Sequence, residues 1–425
     1  MKSVYEILEE RGFLAQCTDE NLRDILSKEK RTIYIGFDPT ADSLHLGSMV
    51  PIMVLAHFQR CGHKVLAVVG GATGMIGDPS GKSEERNLLT PEQVAVNSAG
   101  IKKQLASFLD FTGGNPAFLL DNHEWIGPMT FIDWLRDVGK HFNLNHMLSK
   151  DSVKGRLASE TGISYTEFSY QTMQAYDFLH LHDVYGCTIQ GGGSDQWGNI
   201  VAGIELIRKT RQKTAYGLTS HLITTARGEK FGKSAGNAIW LDPNRTSPYK
   251  YYQYWINTDD RDVEKYLGLF TFLPIEEIRA IMESHLKDPG KREAQRRLAI
   301  ESTLLVHGAE GLAKAQRASG VLFGAEIAKM SDADLADIFA DVPSVALDSS
   351  RIASGMAIAD LLFESGLCAS KGEARRDLQG GGIYLNNKKL EGVEKSVTRE
   401  DLATETTLVL RKGKKNYLLV KFLMV

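Results

Sequence analysis

The 425-residue chain has little cysteine and little proline, four and eleven residues respectively. Cys17, Cys61, Cys187 and Cys368 are scattered, and no two stand at metal-ligand or redox-pair spacing, so free thiols are expected and a structural metal site is not. Long apolar runs are also missing: none approaches the ~18 residues that a membrane-spanning helix needs. The first ten residues already carry Glu6, Glu9 and Glu10, which fits neither a signal peptide nor an Arg-rich transit peptide. A cytoplasmic location with no membrane partner is therefore expected. There is no internal repeat and no low-complexity tract. Net charge is low, at −3, yet it is unevenly spread. From Arg351 onward, thirteen Lys and Arg stand against nine Asp and Glu, whereas the preceding residues hold 37 against 44. A mildly acidic body with a basic tail suits an anionic partner at the tail.

Hydrophobic residues make up 43% of the chain, enough for two or three cored domains. In the N-terminal half, strand-like and helix-like periods alternate. Strands are expected at 33–37, 64–69, 117–120 and 188–190, and helices at 49–60, 91–111, 165–180 and 196–211. This alternation predicts an α/β fold with a parallel sheet covered by helices, whose ligands bind at the carboxyl ends of the strands. Residues 247–330 read as mostly helical, 331–354 as an acidic linker region, and 355–425 as a compact unit of two short helices followed by strands.

Three loops at expected strand ends carry chemistry. In Tyr34 to Ser48 a strand closes on Gly36 and Pro39, and a helix begins near Leu46. A helix start offers free N–H groups to a phosphate, Gly47 lets a ligand approach the backbone, and Thr40 and His45 add neutral donors. On these residues alone, a turn with a buried histidine is an open alternative. The second loop, Gly70 to Ser83, resembles a phosphate-binding P-loop but fails its spacing, because Ile76 stands where a glycine is required. Its Asp78, among glycines, suits an ammonium ion, while Lys82 and Arg86 read equally as solvated charges. The third loop, Gln190 to Asn199, places Gly191, Gly192 and Gly193 before a helix, with Asp195 and Gln196 following. Between the second and third loops, Tyr170, Gln174 and Asp177 fall at i, i+4 and i+7 of one helix, so phenol, amide and carboxylate share a face better suited to a pocket than to a core.

These segments resemble the class I aminoacyl-tRNA synthetases, and within them the tyrosyl branch. His45-Leu46-Gly47-Ser48 matches the first nucleotide motif at three positions, departing at Ser48; Lys230-Phe231-Gly232-Lys233-Ser234 resembles the second. Gly36-Phe37-Asp38-Pro39-Thr40-Ala41, the helix segment Phe168 to Asp177 and Ser194-Asp195-Gln196-Trp197-Gly198-Asn199 are similar to tyrosyl-branch sequences. The resemblance implies a Rossmann-like catalytic domain over 1–246, a helical anticodon-side domain over 247–330 and an S4-like RNA-binding domain over 355–425. It implies that Asp78, Tyr170, Gln174 and Gln196 hold the α-amino and carboxylate groups of tyrosine. Tyr34 and Asp177 would bond its phenol, with Asn122 as a buttress. Gly36, Asp38, His45, Gly47, Ser48, Gly193, Asp195, Lys230, Lys233 and Ser234 would bind ATP. Thr40, His45, Lys82, Arg86, Lys230 and Lys233 would stabilise the leaving pyrophosphate. Mg²⁺ would arrive with ATP, and no protein-held metal is implied. In the tail, Ala369 to Leu378 followed by Gly380 to Asn386 looks like an S4 unit, with Lys371, Arg375, Arg376, Lys412, Lys414 and Lys415 facing tRNA. Members of this family are homodimers.

Overall fold

A computed structural model describes residues 2–80, 88–158, 162–229, 231–234, 237–322, 325, 327, 330–340, 342–390, 392–413 and 416–423. The chain forms two compact units, one comprising 1–246 and 255–306, the other 247–254 and 307–425.

The first unit is built on a six-stranded sheet of β1 (Leu14–Cys17), β2 (Thr32–Phe37), β3 (Lys64–Val69), β4 (Phe118–Asp121), β5 (Cys187–Gly193) and β6 (Tyr216–Ser220), in the order β1-β6-β5-β2-β3-β4. All neighbours are parallel except the β1–β6 pair at one edge. Strands β2 and β3 are rich in apolar and β-branched residues, as strands buried on both faces are, and in β2 only Gly36 is exposed. The chain winds outward from β2 through β3 to β4, then returns to place β5 on the other side of β2. That reversal opens a crevice at the carboxyl ends of β2 and β5, where doubly wound sheets bind ligands.

Four helices frame this crevice: α1 (Met49–Arg60), α2 (Pro91–Leu105), α3 (Tyr165–Tyr185) and α4 (Trp197–Arg211). The expected α1 and β3 agree residue for residue. Helix α2 stops at Leu105 rather than at residue 111, and α3 continues past residue 180 to Tyr185, where Gly186 caps it in the left-handed conformation (φ +64°). The three glycines 191–193, expected to follow a strand, are its last residues. Side chains have no room there: a Cβ at Gly191 would lie 3.0 Å from Ile35, and one at Gly193 would lie 2.5 Å from the Asp195 carboxylate. Helices α3 and α4 pack together over the sheet, and Tyr34, Leu66, Phe178, Leu181, Cys187 and Leu206 form the core between them.

The second unit has its own cores and a five-stranded sheet. Its strands are β7 (Ser344–Asp348), β8 (Ile383–Leu385), β9 (Lys388–Lys389), β10 (Thr407–Lys412) and β11 (Asn416–Leu423), in the order β9-β8-β10-β11-β7. Residues 331–354 are part of this unit: Asp332–Ile338 is a helix, and β7 pairs in parallel with β11. Helix α5 (Lys371–Gln379) starts at Ser370, whose hydroxyl accepts from the Glu373 N–H.

Candidate functional site

Two hydrogen-bonded chains of side chains meet at the crevice. The first runs along the floor. The Tyr170 hydroxyl on α3 donates to Asp38 Oδ2 at 2.7 Å, just beyond the end of β2, and Thr73 Oγ1 donates to Asp38 Oδ1 at 2.7 Å. Asn122 Nδ2 lies 3.0 Å from Thr73 Oγ1 and 3.0 Å from Asp177 Oδ2, while its Oδ1 accepts from the Ala72 N–H at 2.8 Å. Trp125 Nε1–H completes the chain by donating to Asp177 Oδ1 at 2.7 Å, and its ring stacks on His180. Gly70 makes this possible, since a Cβ there would fall 2.1 Å from Asp38 Oδ1. The second chain lies on the β5 side. Gln196 Nε2 donates to Asp78 Oδ2 at 2.7 Å, and Asn199 Nδ2 reaches Gln174 Oε1 at 3.0 Å and Gln196 Oε1 at 3.3 Å. Asp78 Oδ1 also accepts from the Ser80 N–H at 2.9 Å.

Burial sets the electrostatics of the floor. Asp177 is 4% exposed, and burial pushes its carboxyl up to about 7 against the opposing bonds from Asn122 and Trp125. Burial, then the field of Asp177, raises the Tyr34 phenol well above its ordinary range. The Tyr34 hydroxyl donates to the Gln174 carbonyl at 3.3 Å, longer than the ~2.7–2.8 Å usual for O–H···O. Tyr170 is raised in the same way, by burial and then by Asp38 and Asp78. The pocket is thus lined by carboxylates, amides and phenols able to hold one ammonium and one hydroxyl.

The corner expected to meet the nucleotide is built beside it. Thr40 is exposed and its N–H bonds the Asp38 carbonyl at 2.9 Å. The exposed His45 precedes a turn of 3₁₀ helix, Leu46–Ser48, and its Nδ1 accepts from the Gly47 N–H at 3.0 Å; Ser48 leads into α1 without a side-chain cap bond. Residues 237–241 are laid against this corner by backbone bonds from Leu46 N–H to the Ile239 carbonyl (3.0 Å) and from Leu241 N–H to the Leu44 carbonyl (2.8 Å), and Ile239 N–H in turn bonds the Gly232 carbonyl (2.8 Å). Gly232 has φ +79°, and a Cβ there would sit 3.0 Å from Leu46 Cβ. A Cβ on Gly36 would meet nothing within 4 Å, so the backbone of β2 faces open space there.

The structure therefore brings together Tyr34, Asp38, Asp78, Asn122, Tyr170, Gln174, Asp177 and Gln196, with Gly193 and Asp195 at the end of β5. Lys82, Arg86 and Lys230 lie outside the described residues, and of Lys233 and Ser234 only the backbone is described, as one side of a short hairpin with Asn237–Ala238. Sequence reasoning gave no role to Thr73, Trp125 or Asn199, although Thr73 and Asn199 lie inside loops it singled out. In the tail unit, Arg375 and Arg376 are exposed, and Lys371 pairs with Asp360 at 2.7 Å. Lys412 binds both Glu373 and Asp377 at 2.7 Å, tying β10 to α5. Lys414 and Lys415 lie outside the described residues.

Comparison with known proteins is consistent along the chain. Residues 26–324 match the model for class I tRNA synthetases (W and Y), and residues 334–420 match the C-terminal domain of SYY-like tyrosine–tRNA ligases. The tyrosine–tRNA ligase of Roseiflexus castenholzii is 52% identical over 423 residues, which cover 99% of this chain and 100% of that protein. That of Geobacillus stearothermophilus is 51% identical over 418 residues, 98% of each. Among solved structures, a C-terminally truncated mitochondrial tyrosyl-tRNA synthetase from Aspergillus nidulans superposes with a TM-score of 0.69 at 35% identity, covering 76% of this chain and 95% of that one. A tryptophanyl-tRNA synthetase from Encephalitozoon cuniculi shares the fold alone, with a TM-score of 0.52 at 14% identity, over 73% of this chain and 87% of that one. With two family models spanning both units and full-length relatives at half identity, the chain belongs to the class I tRNA synthetases of the W and Y family.

Proposed function

We propose that this chain is a tyrosine–tRNA ligase, joining tyrosine to ATP as tyrosyl-adenylate and then to the 3′ end of tRNA(Tyr). The observation that carries the choice of amino acid is the buried Asp177 beside Tyr34. Asp177 retains lone pairs after its bonds from Asn122 and Trp125, and the long Tyr34 bond is readily exchanged for a substrate phenol. A site that bonds a hydroxyl rejects phenylalanine, because its polar groups are left unpaired; tyrosyl-tRNA synthetase is itself the standard worked case of this effect.

In this reading Asp78, Tyr170 and Gln174 bind the substrate ammonium, and Gln196 its carboxylate side. The carboxylate attacks the α-phosphorus of ATP in line, and pyrophosphate leaves. Chemistry of this kind depends on positioning and on charge stabilisation, with no protein nucleophile. Gly36, Asp38, Gly47, Ser48, Gly193 and Asp195 receive the adenosine; Thr40, His45, Lys82, Arg86, Lys230, Lys233 and Ser234 surround the phosphates. Mg²⁺ comes with ATP, which it reaches through the phosphates. Lys371, Arg375, Arg376, Lys412, Lys414 and Lys415 provide tRNA phosphate contacts, which give affinity rather than sequence choice. A cytoplasmic homodimer completes the reading. Its supporting observation is the exposed apolar run Phe131, Ile132 and Leu135. ATP–pyrophosphate exchange with each proteinogenic amino acid tests the proposal: exchange with tyrosine alone is expected, and exchange with tryptophan instead, or none by folded protein, refutes it.

A further inference from the structure

A second cleft, of about 450 Å³, lies behind the turn that follows β3. One wall is the face of α2 carrying Val94, Ala95, Ser98, Ala99 and Lys102, at helical spacing; the other is Gly71, Met75 and the residues just after β4. The cleft is outside the tyrosine pocket: Gly71 and Met75 flank Ala72 and Thr73, whose polar groups point the other way, to Asn122.

Three features suit it to a ligand. The wall is apolar at Met75, Val94, Ala95 and Ala99. Ser98, 5% exposed, lines the cleft, and its buried hydroxyl has no hydrogen-bond partner among the described residues, an unfavourable arrangement. The rim carries both signs: Lys102 stands 3.4 Å from Asp121 Oδ2, longer than a well-formed charge-assisted bond, with Glu124 beside them. A molecule with an ammonium group, a carboxylate and an apolar body complements all three. The volume is within the range of small-molecule sites.

We propose that this cleft is a second ligand site, for a small amphipathic zwitterion of the free amino acid class. L-leucine is the probe, because it has no hydroxyl for Tyr34 and Asp177. It is titrated by calorimetry into the full chain whose main pocket is filled with a non-hydrolysable tyrosyl-adenylate analogue. One leucine per chain is expected to bind. Ala99→Trp and Ala95→Phe, at exposed helix positions that fill the cleft, should each weaken binding at least tenfold. Isoamylamine and 4-methylpentanoate, each lacking one charge, should bind more weakly than leucine. Absence of leucine binding up to about 10 mM overturns the site. So does unchanged binding by both variants at unchanged melting temperature. Failure of the analogue to bind would count against the proposed function, and the leucine titration of the same protein would still decide the cleft.

Discussion

Asp177 concentrates the residue-scale argument. Hydrogen bonds to charged groups are worth about 1.5–3 kcal/mol, so Asp177→Asn should lower kcat/KM for tyrosine by roughly ten- to a hundredfold while narrowing the preference for tyrosine over phenylalanine. Pyrophosphate exchange with both amino acids measures this. The same residue makes a pH prediction. Its folded-state value, about 7, lies above the ordinary carboxyl value of 3.8, so between these limits the folded state holds more protons than the unfolded one. Its contribution to stability is present below about pH 4 and is lost as pH rises towards 7. Removing the carboxylate removes that loss. The melting temperature of Asp177→Asn relative to the unmodified chain should therefore rise between pH 5 and pH 8, and a flat difference would contradict the raised value. The i, i+4, i+7 spacing made this face of α3 legible in the sequence. Its partners were not: Trp125 reaches Asp177 from another element, and the bond from Tyr170 to Asp38 spans 132 positions. No local periodicity encodes contacts of that range.

At the scale of elements, the two nucleotide motifs are one object. Gly232 needs its left-handed backbone and a bare α-carbon to lie on Leu46, so Gly232→Ala displaces the strand-like segment that carries Lys233 from the first motif. We expect adenylate formation to slow by tenfold or more while equilibrium tyrosine binding in the absence of ATP changes less than twofold; stopped-flow fluorescence and equilibrium dialysis read the two quantities. Alternating apolar segments announced the parallel sheet, since β2 and β3 are buried on both faces and read as continuous apolar runs. Where the alternation was interrupted, the reading was shorter than the strand. Gly191 to Gly193 have the composition of a turn, yet Ile35, Gln196 and Asp195 close in from the sheet and the next helix, so only glycine fits a strand there.

The whole molecule divides into a unit with the pocket and a unit with the basic tail. A chain ending at Met330 should keep tyrosine-dependent pyrophosphate exchange within about twofold and lose at least tenfold in tRNA charging. Equal charging by the truncated and full chains would remove the tail from the proposed function. The cut falls between the two family matches, 26–324 and 334–420. Acidic composition made 331–354 look like a linker, because a lone five-residue strand with alternating exposure carries little signal of its own. Its partner, β11, lies far along the chain. That pairing bears on how the protein is made. The sheet of the first unit has all its strands once β6 has left the ribosome, so the pocket can close early. Strand β7, by contrast, must wait through the synthesis of residues 349–415 before β11 exists to receive it. During that interval its open edge is available to other chains, so slowed elongation over this stretch is the point at which nascent copies would begin to cross-pair.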